Sequence, residues 1–147
     1  PLDESVHPIG SFTDPEYAQV GLTESQARAA HDVIAAKIHF DTTTRTIIDG
    51  RTFGFCKLVV DRATHKVLGC HVVGERAVEI TQVASIVMTA GMRVDELAHV
   101  PLSFPTYAGI LGRLAASITR DLNRQGTTSL QGQCLEICAL EGPHYGL

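Results

Sequence analysis

Phe55-Cys-Lys-Leu-Val-Val60 and Val67-Leu-Gly-Cys-His-Val-Val73, joined by Asp61-Arg-Ala-Thr-His65, decide the fold class. Both flanks are rich in β-branched and apolar residues, and the polar link is short enough for an antiparallel hairpin. Upstream, Val33 to Phe40 has the same composition and adds a third strand, followed by a polar excursion from Thr42 to Gly50 that contains Ile47 and Ile48. Further upstream, Asp14-Pro15 marks a turn and the next residues form a short strand to Leu22. Thr23-Glu-Ser-Gln26 then has the spacing of a capping box, a hydroxyl and an amide three residues apart that can each satisfy a free backbone N–H. A short helix to about His31 is expected.

Beyond Gly74 the apolar period changes from two residues to that of a helix. Val78, Ile80, Val83, Ala84, Val87 and Met88 cover more than one face, which predicts a deeply buried helix over about Glu75 to Ala90. Glu75, Arg76 and Glu79 fall near its N-terminus, where negative charge is favoured and a structural role suffices. A further short helix is expected over Arg93 to Ala98. A longer one over Pro105 to Asn123 carries Leu111, Leu114, Ala115, Ile118 and Leu122 on one stripe, with Arg113, Arg120 and Arg124 away from it. Strands first and helices later imply an α+β fold, an antiparallel sheet with helices packed on one face. The apolar breadth of the two long helices exceeds what a small sheet needs to cover, which points to a second subunit. The organisation reads as a loose lead-in over 1–10, a packed domain over 11–124, and a Gly- and polar-rich tail over 125–147 expected to be flexible.

The chain has 147 residues, 44% of them hydrophobic and 19% charged, enough for one globular core. Its formal net charge of -4 and scattered Lys and Arg offer no footprint for nucleic acid or for an anionic membrane surface. No apolar run reaches the roughly 20 residues of a spanning helix. The first ten residues lack the layout of a signal peptide, so a cytoplasmic setting and reduced thiols are expected. Of the four cysteines, Cys56 and Cys70 lie in apolar strands and read as buried small hydrophobes. Cys134 and Cys138 form the tight pair, and with Glu136 and His144 nearby they are candidates for soft-metal or dithiol chemistry. The dinucleotide fingerprint G-x-G-x-x-G, the hydrolase elbow G-x-S-x-G and the zinc motif H-E-x-x-H are all absent from the sequence. His7, His31, His39, His65, His71 and His99 show no paired ligand spacing.

Three stretches resemble the C-terminal dimerisation domain of the pyridine nucleotide-disulfide oxidoreductases, the family of dihydrolipoamide dehydrogenase, glutathione reductase and mercuric reductase. They are Phe12-Thr-Asp-Pro-Glu-Tyr-Ala-Gln-Val-Gly-Leu-Thr-Glu24; Gly54-Phe-Cys-Lys-Leu-Val-Val-Asp61 with Leu68-Gly-Cys-His-Val-Val-Gly74; and Pro101 to Gly112. The resemblance runs from about Ser11 to Asn123. It implies a homodimerisation domain of an FAD-dependent NAD(P)H oxidoreductase whose FAD- and NAD(P)-binding parts lie outside this chain, so that the chain itself binds neither cofactor and catalyses nothing alone. Such domains also complete the partner subunit's active site, through a His-Pro-Thr motif whose histidine handles thiol protons and is oriented by a glutamate five residues on.

Here the corresponding stretch is Phe104-Pro105-Thr106-Tyr107-Ala108-Gly109. Pro105 and Thr106 match, but phenylalanine cannot transfer a proton and glycine cannot orient a base. The resemblance therefore places Phe104, Pro105, Thr106 and Tyr107 toward the partner's active site with no catalytic residue among them. It is closer to mercuric-reductase-like members, which also lack the histidine, and it implies a parent enzyme acting on a disulfide, a metal ion or a quinone-like acceptor. In mercuric reductase the C-terminal metal-handling cysteines are adjacent, whereas Cys134 and Cys138 are separated by three residues.

Overall fold

The computed structural model describes residues 6–140, with side chains through Arg124. Five antiparallel strands form one sheet in the order β1-β2-β5-β4-β3: β1 Ile9–Ser11, β2 Tyr17–Gly21, β3 Val33–His39, β4 Gly54–Asp61 and β5 Val67–Gly74. The hairpin read from the sequence is the centre of this sheet, with β3 on the far side of β4 and β2 on the far side of β5. Its link turns on the Asp61 carboxylate, which accepts from the Ala63 amide at 3.0 Å and from the Thr64 hydroxyl at 3.0 Å.

Alternation along the strands sends Ala18, Val20, Ile34, Cys56, Leu58, Val60, Cys70 and Val72 to one face, all of them buried in the main core. Three helices cover that face: α3 (Ala77–Thr89), α4 (Val94–Leu97) and α5 (Gly109–Leu140). The α5 stripe falls where the sequence spacing puts it, with Leu111, Leu114, Ala115 and Ile118 at 0% exposure. The capping box also forms, since the Thr23 amide donates to Gln26 Oε1 at 2.9 Å and the Gln26 amide to Thr23 Oγ1 at 3.3 Å. It starts α1 (Glu24–Arg28). This short helix departs from the one-sided arrangement: Ala27 packs with Val33 and Val59 on the opposite face of the sheet.

Several expectations are corrected. The stretch expected as a loose lead-in contributes β1, whose Ile9, Gly10 and Ser11 pair with Gln19, Ala18 and Tyr17. A Cβ at Gly10 would meet Val78 Cγ2 of α3 at 2.7 Å, so any larger residue there asks that side chain or the strand to shift. The polar excursion is ordered as a 3-10 turn, Phe40–Thr42, and a one-turn helix α2 (Thr44–Ile48). The hydroxyls of Thr43 and Thr46, buried 2.7 Å apart, return to the Phe40 and Thr43 carbonyls and hold this turn. The helix α3 is not buried all round, since Glu79, Gln82 and Ile86 form an exposed ridge. The helix α5 begins at Gly109 rather than Pro105 and extends past Asn123 to Leu140.

The register shifts between Val59 and Val60, which pair with Gly69 and Val67, so Leu68 is the extra residue of a bulge. This reverses parity at the start of β5: Val67 enters the main core, while Leu68 packs with Ala27, Val33 and Val59 and accepts the Leu22 amide at 2.8 Å. Leu58 is among the largest fully buried side chains, on the strand pair with neighbours on both sides. Leu58→Ala is therefore expected to cost about 2–5 kcal/mol of folding stability, measured as a lowered urea midpoint with an unchanged slope.

Candidate site at the start of the long helix

The loop before α5 is built on Thr106. Its hydroxyl donates to the Ser103 carbonyl at 2.8 Å and accepts from the Gly109 amide at 3.2 Å, which satisfies one of the free amides of the first helical turn. Thr106 is thus explained by loop geometry. Phe104 is not: its side chain is 82% exposed, a large apolar group held out from the surface. At Gly109 an added Cβ would lie 3.5 Å from Thr106 Oγ1, an ordinary contact. No close neighbour therefore demands glycine at this position.

Tyr107 points inward from the same loop. Its ring lies 6.4 Å from that of Phe40, and its hydroxyl donates to Asp49 Oδ2 at 2.9 Å. Arg45, one turn before Asp49, pairs with the same carboxylate at 2.9 Å. The Tyr107 hydrogen bond and this guanidinium hold Asp49 below the ordinary carboxylate range, while partial burial and the Asp49 charge push the Tyr107 phenol up to about 12. The tyrosine is therefore a fixed donor at neutral pH. Sequence reasoning missed Asp49 and Arg45, although their i, i+4 spacing was available as a helical signal.

Two clefts flank the loop. A polar one of 360 Å³ is lined by Arg45, Asp49, Arg51, Glu75, Arg76 and Tyr107 among others, and its charges are mutually paired. Arg51 bridges Asp14 and Glu75 at 2.8 Å each, and Arg76, at the N-cap of α3 with φ 60°, lies 3.3 Å from Glu79. These contacts tie the sheet end together and agree with the structural role read for Glu75, Arg76 and Glu79. The second cleft, of 330 Å³, is more apolar and runs between Val100, Leu102, Phe104 and Ile110, with Arg113 at its border.

The sequence matches the dimerisation domain of the pyridine nucleotide-disulphide oxidoreductases over residues 7–115. The chain belongs to that family. It is 37% identical over 122 residues to a mercuric reductase of Lysinibacillus sphaericus, covering 82% of this chain and 22% of that protein. It is 31% identical over 116 residues to a dihydrolipoyl dehydrogenase of Bacillus subtilis, covering 78% of this chain and 24% of that one. In structure it resembles LpdA from Mycobacterium tuberculosis, with a TM-score of 0.76, 25% identity, and coverage of 80% of this chain and 26% of the other. The chain thus spans about a quarter of the length of the relatives it matches.

Of the residues singled out by the sequence, Phe104 to Tyr107 come together in one loop. Cys134 and Cys138 fall within α5, but their side chains lie outside the described residues. Among the described residues no group of three or more His, Cys, Asp or Glu is placed to hold a metal, and no helix is long and apolar enough to cross a membrane.

A raised phenol pKa in the folded chain favours the neutral form, so its contribution to stability is complete below the unfolded value of 10.0 and is lost as pH rises toward about 12. Ultraviolet titration is expected to show one tyrosine ionising near the upper value. Tyr107→Phe is expected to remove that ionisation and to flatten the loss of stability across the same window.

Proposed function

We propose that this chain is the dimerisation domain of a larger FAD-dependent NAD(P)H oxidoreductase, that it associates with a second copy of itself, and that its Phe104–Tyr107 loop faces the partner's active site. The observation that carries the reading is the family match over residues 7–115, on a fold shared with LpdA. In this reading the domain takes in β1 and runs from about residue 7, where the family match begins, to 124; the parent is cytoplasmic, and FAD and NAD(P)H are held by parts of the parent beyond these residues. The sequence here has no G-x-G-x-x-G cradle for a pyrophosphate.

The role of the loop follows from what it can and cannot do. A flavin bound in the parent would supply the electrons; the loop supplies shape. Phe104 is an exposed apolar surface beside an apolar cleft, Tyr107 is a neutral donor already committed to Asp49, and neither residue is a general acid or base near neutral pH. The loop therefore suits an electron acceptor that takes no proton from this position, such as a metal ion, or a quinone-like molecule whose two protons come from elsewhere, better than a disulfide whose leaving thiolate must be protonated here.

Light scattering of the chain over a concentration series is expected to give the mass of a dimer. A strict monomer at the highest concentration would show that these residues do not suffice for association. In the parent enzyme, Phe104→His with Gly109→Glu is expected to raise disulfide reduction by about 10²-fold, the lower range for a positioned acid-base group. Phe104→His alone is expected to give less. An unchanged rate in the double variant would sink the placement of the loop at the active site.

A further inference from the structure

Cys56 and Cys70 are both at 0% exposure, and their sulfurs lie 3.9 Å apart. Cys56 faces Val72 and Cys70 faces Leu58, so the two are diagonal neighbours on the central strands, with side chains on the face covered by α3 and α5. Nothing in the proposed function draws on them. Burial and the neighbouring thiol push the Cys56 thiol well above its ordinary range, so in the closed structure it is a protonated, unreactive group.

The contact nevertheless gives this pair a chemistry that no other two core side chains among the described residues share. Whichever sulfur is oxidised first already lies against a second thiol that can displace the leaving group. The slow step is access, which requires the helical cover to open; the second step is intramolecular and fast. The two residues sit one register step apart on paired strands, so the bridge joins neighbours rather than distant segments, and closing it asks for a local backbone shift as well as side-chain rotation when the core opens.

We propose that Cys56 and Cys70 form a latent dithiol that a peroxide converts, when the core opens, into a disulfide between β4 and β5. One sulfur, as thiolate, attacks the peroxide oxygen and becomes a sulfenic acid, releasing water. The second thiol then attacks that sulfur, forming the S–S bond and releasing a second water. Two thiols are oxidised by two electrons and one hydrogen peroxide is reduced to two waters. The closed core keeps the reaction slow, and the bridge, once made, ties together the strand pair at the centre of the sheet.

The test uses the full chain carrying Cys134→Ser and Cys138→Ser, so that these two are the only cysteines. After graded exposure to hydrogen peroxide and trypsin digestion without reductant, peptide Thr52–Lys57 is expected joined to Val67–Arg76, two hydrogens lighter than the two free peptides together. Mild urea below the unfolding transition is expected to speed its appearance. With Cys56→Ala added, Cys70 is expected to be trapped as a sulfenic acid by a dimedone-type reagent, and Cys70→Ala should expose Cys56 in the same way. The proposal fails if both thiols remain free at a peroxide dose that has converted Met88 and Met92 to sulfoxides. It fails equally if either sulfur passes to sulfinic acid without the linked peptide.

Discussion

The pairing of β4 with β5 is the constraint from which the rest of the architecture follows. Both strands have neighbours on each side, so their backbone groups are satisfied within the sheet, and their side chains can be apolar on both faces. One face must then be covered by α3, α4 and α5, while the other is closed at one end by α1 through Ala27. The bulge at Leu68 lets a single strand serve both cores, sending Val67 to one and Leu68 to the other. The opposite end of the sheet, where β4 begins and β5 ends, is tied by Arg51 to Asp14 and Glu75, and the Phe104 loop rests beside that tie.

The loop before α5 divides into parts that are fixed and a part that is free. Thr106 starts α5, and Tyr107 is locked onto Asp49, so the loop has little freedom at its base. Phe104 is left to project. A rigid loop presenting one exposed aromatic is suited to completing a site on another surface, because little is lost in ordering it on association. In the proposed reading, the same rigidity means that the character of position 104 sets what the loop offers to a partner surface, and here that character is apolar.

Much of the fold was legible in the sequence because its signals were local. The Thr23–Gln26 capping box, the alternation in β4 and β5, and the stripe Leu111, Leu114, Ala115, Ile118 each express a period or a cap that operates within a few residues. What escaped depends on contacts distant in sequence. Ile9–Ser11 is too short to show alternation and is a strand because β2 and α3 receive it. The turn at Phe40–Thr42 is held by buried threonine hydroxyls that look, in sequence, like a polar surface loop. At the site, the identity of Phe104 and Gly109 was readable from the motif, whereas the Asp49–Tyr107 bond joins residues 58 positions apart.

The strand order also sets a sequence of assembly. Hairpin β4–β5 and its neighbour β3 are close along the chain and cost little entropy to bring together, but Tyr17 must find Val73 across the whole intervening segment before β2 can close the other side. Until it does, the edge of β5 and the underside of α3 stay open. The N-terminal strands therefore act as the late-fitting seal of the domain, and damage to Tyr17–Gly21 should slow folding less than it shortens the lifetime of the folded state.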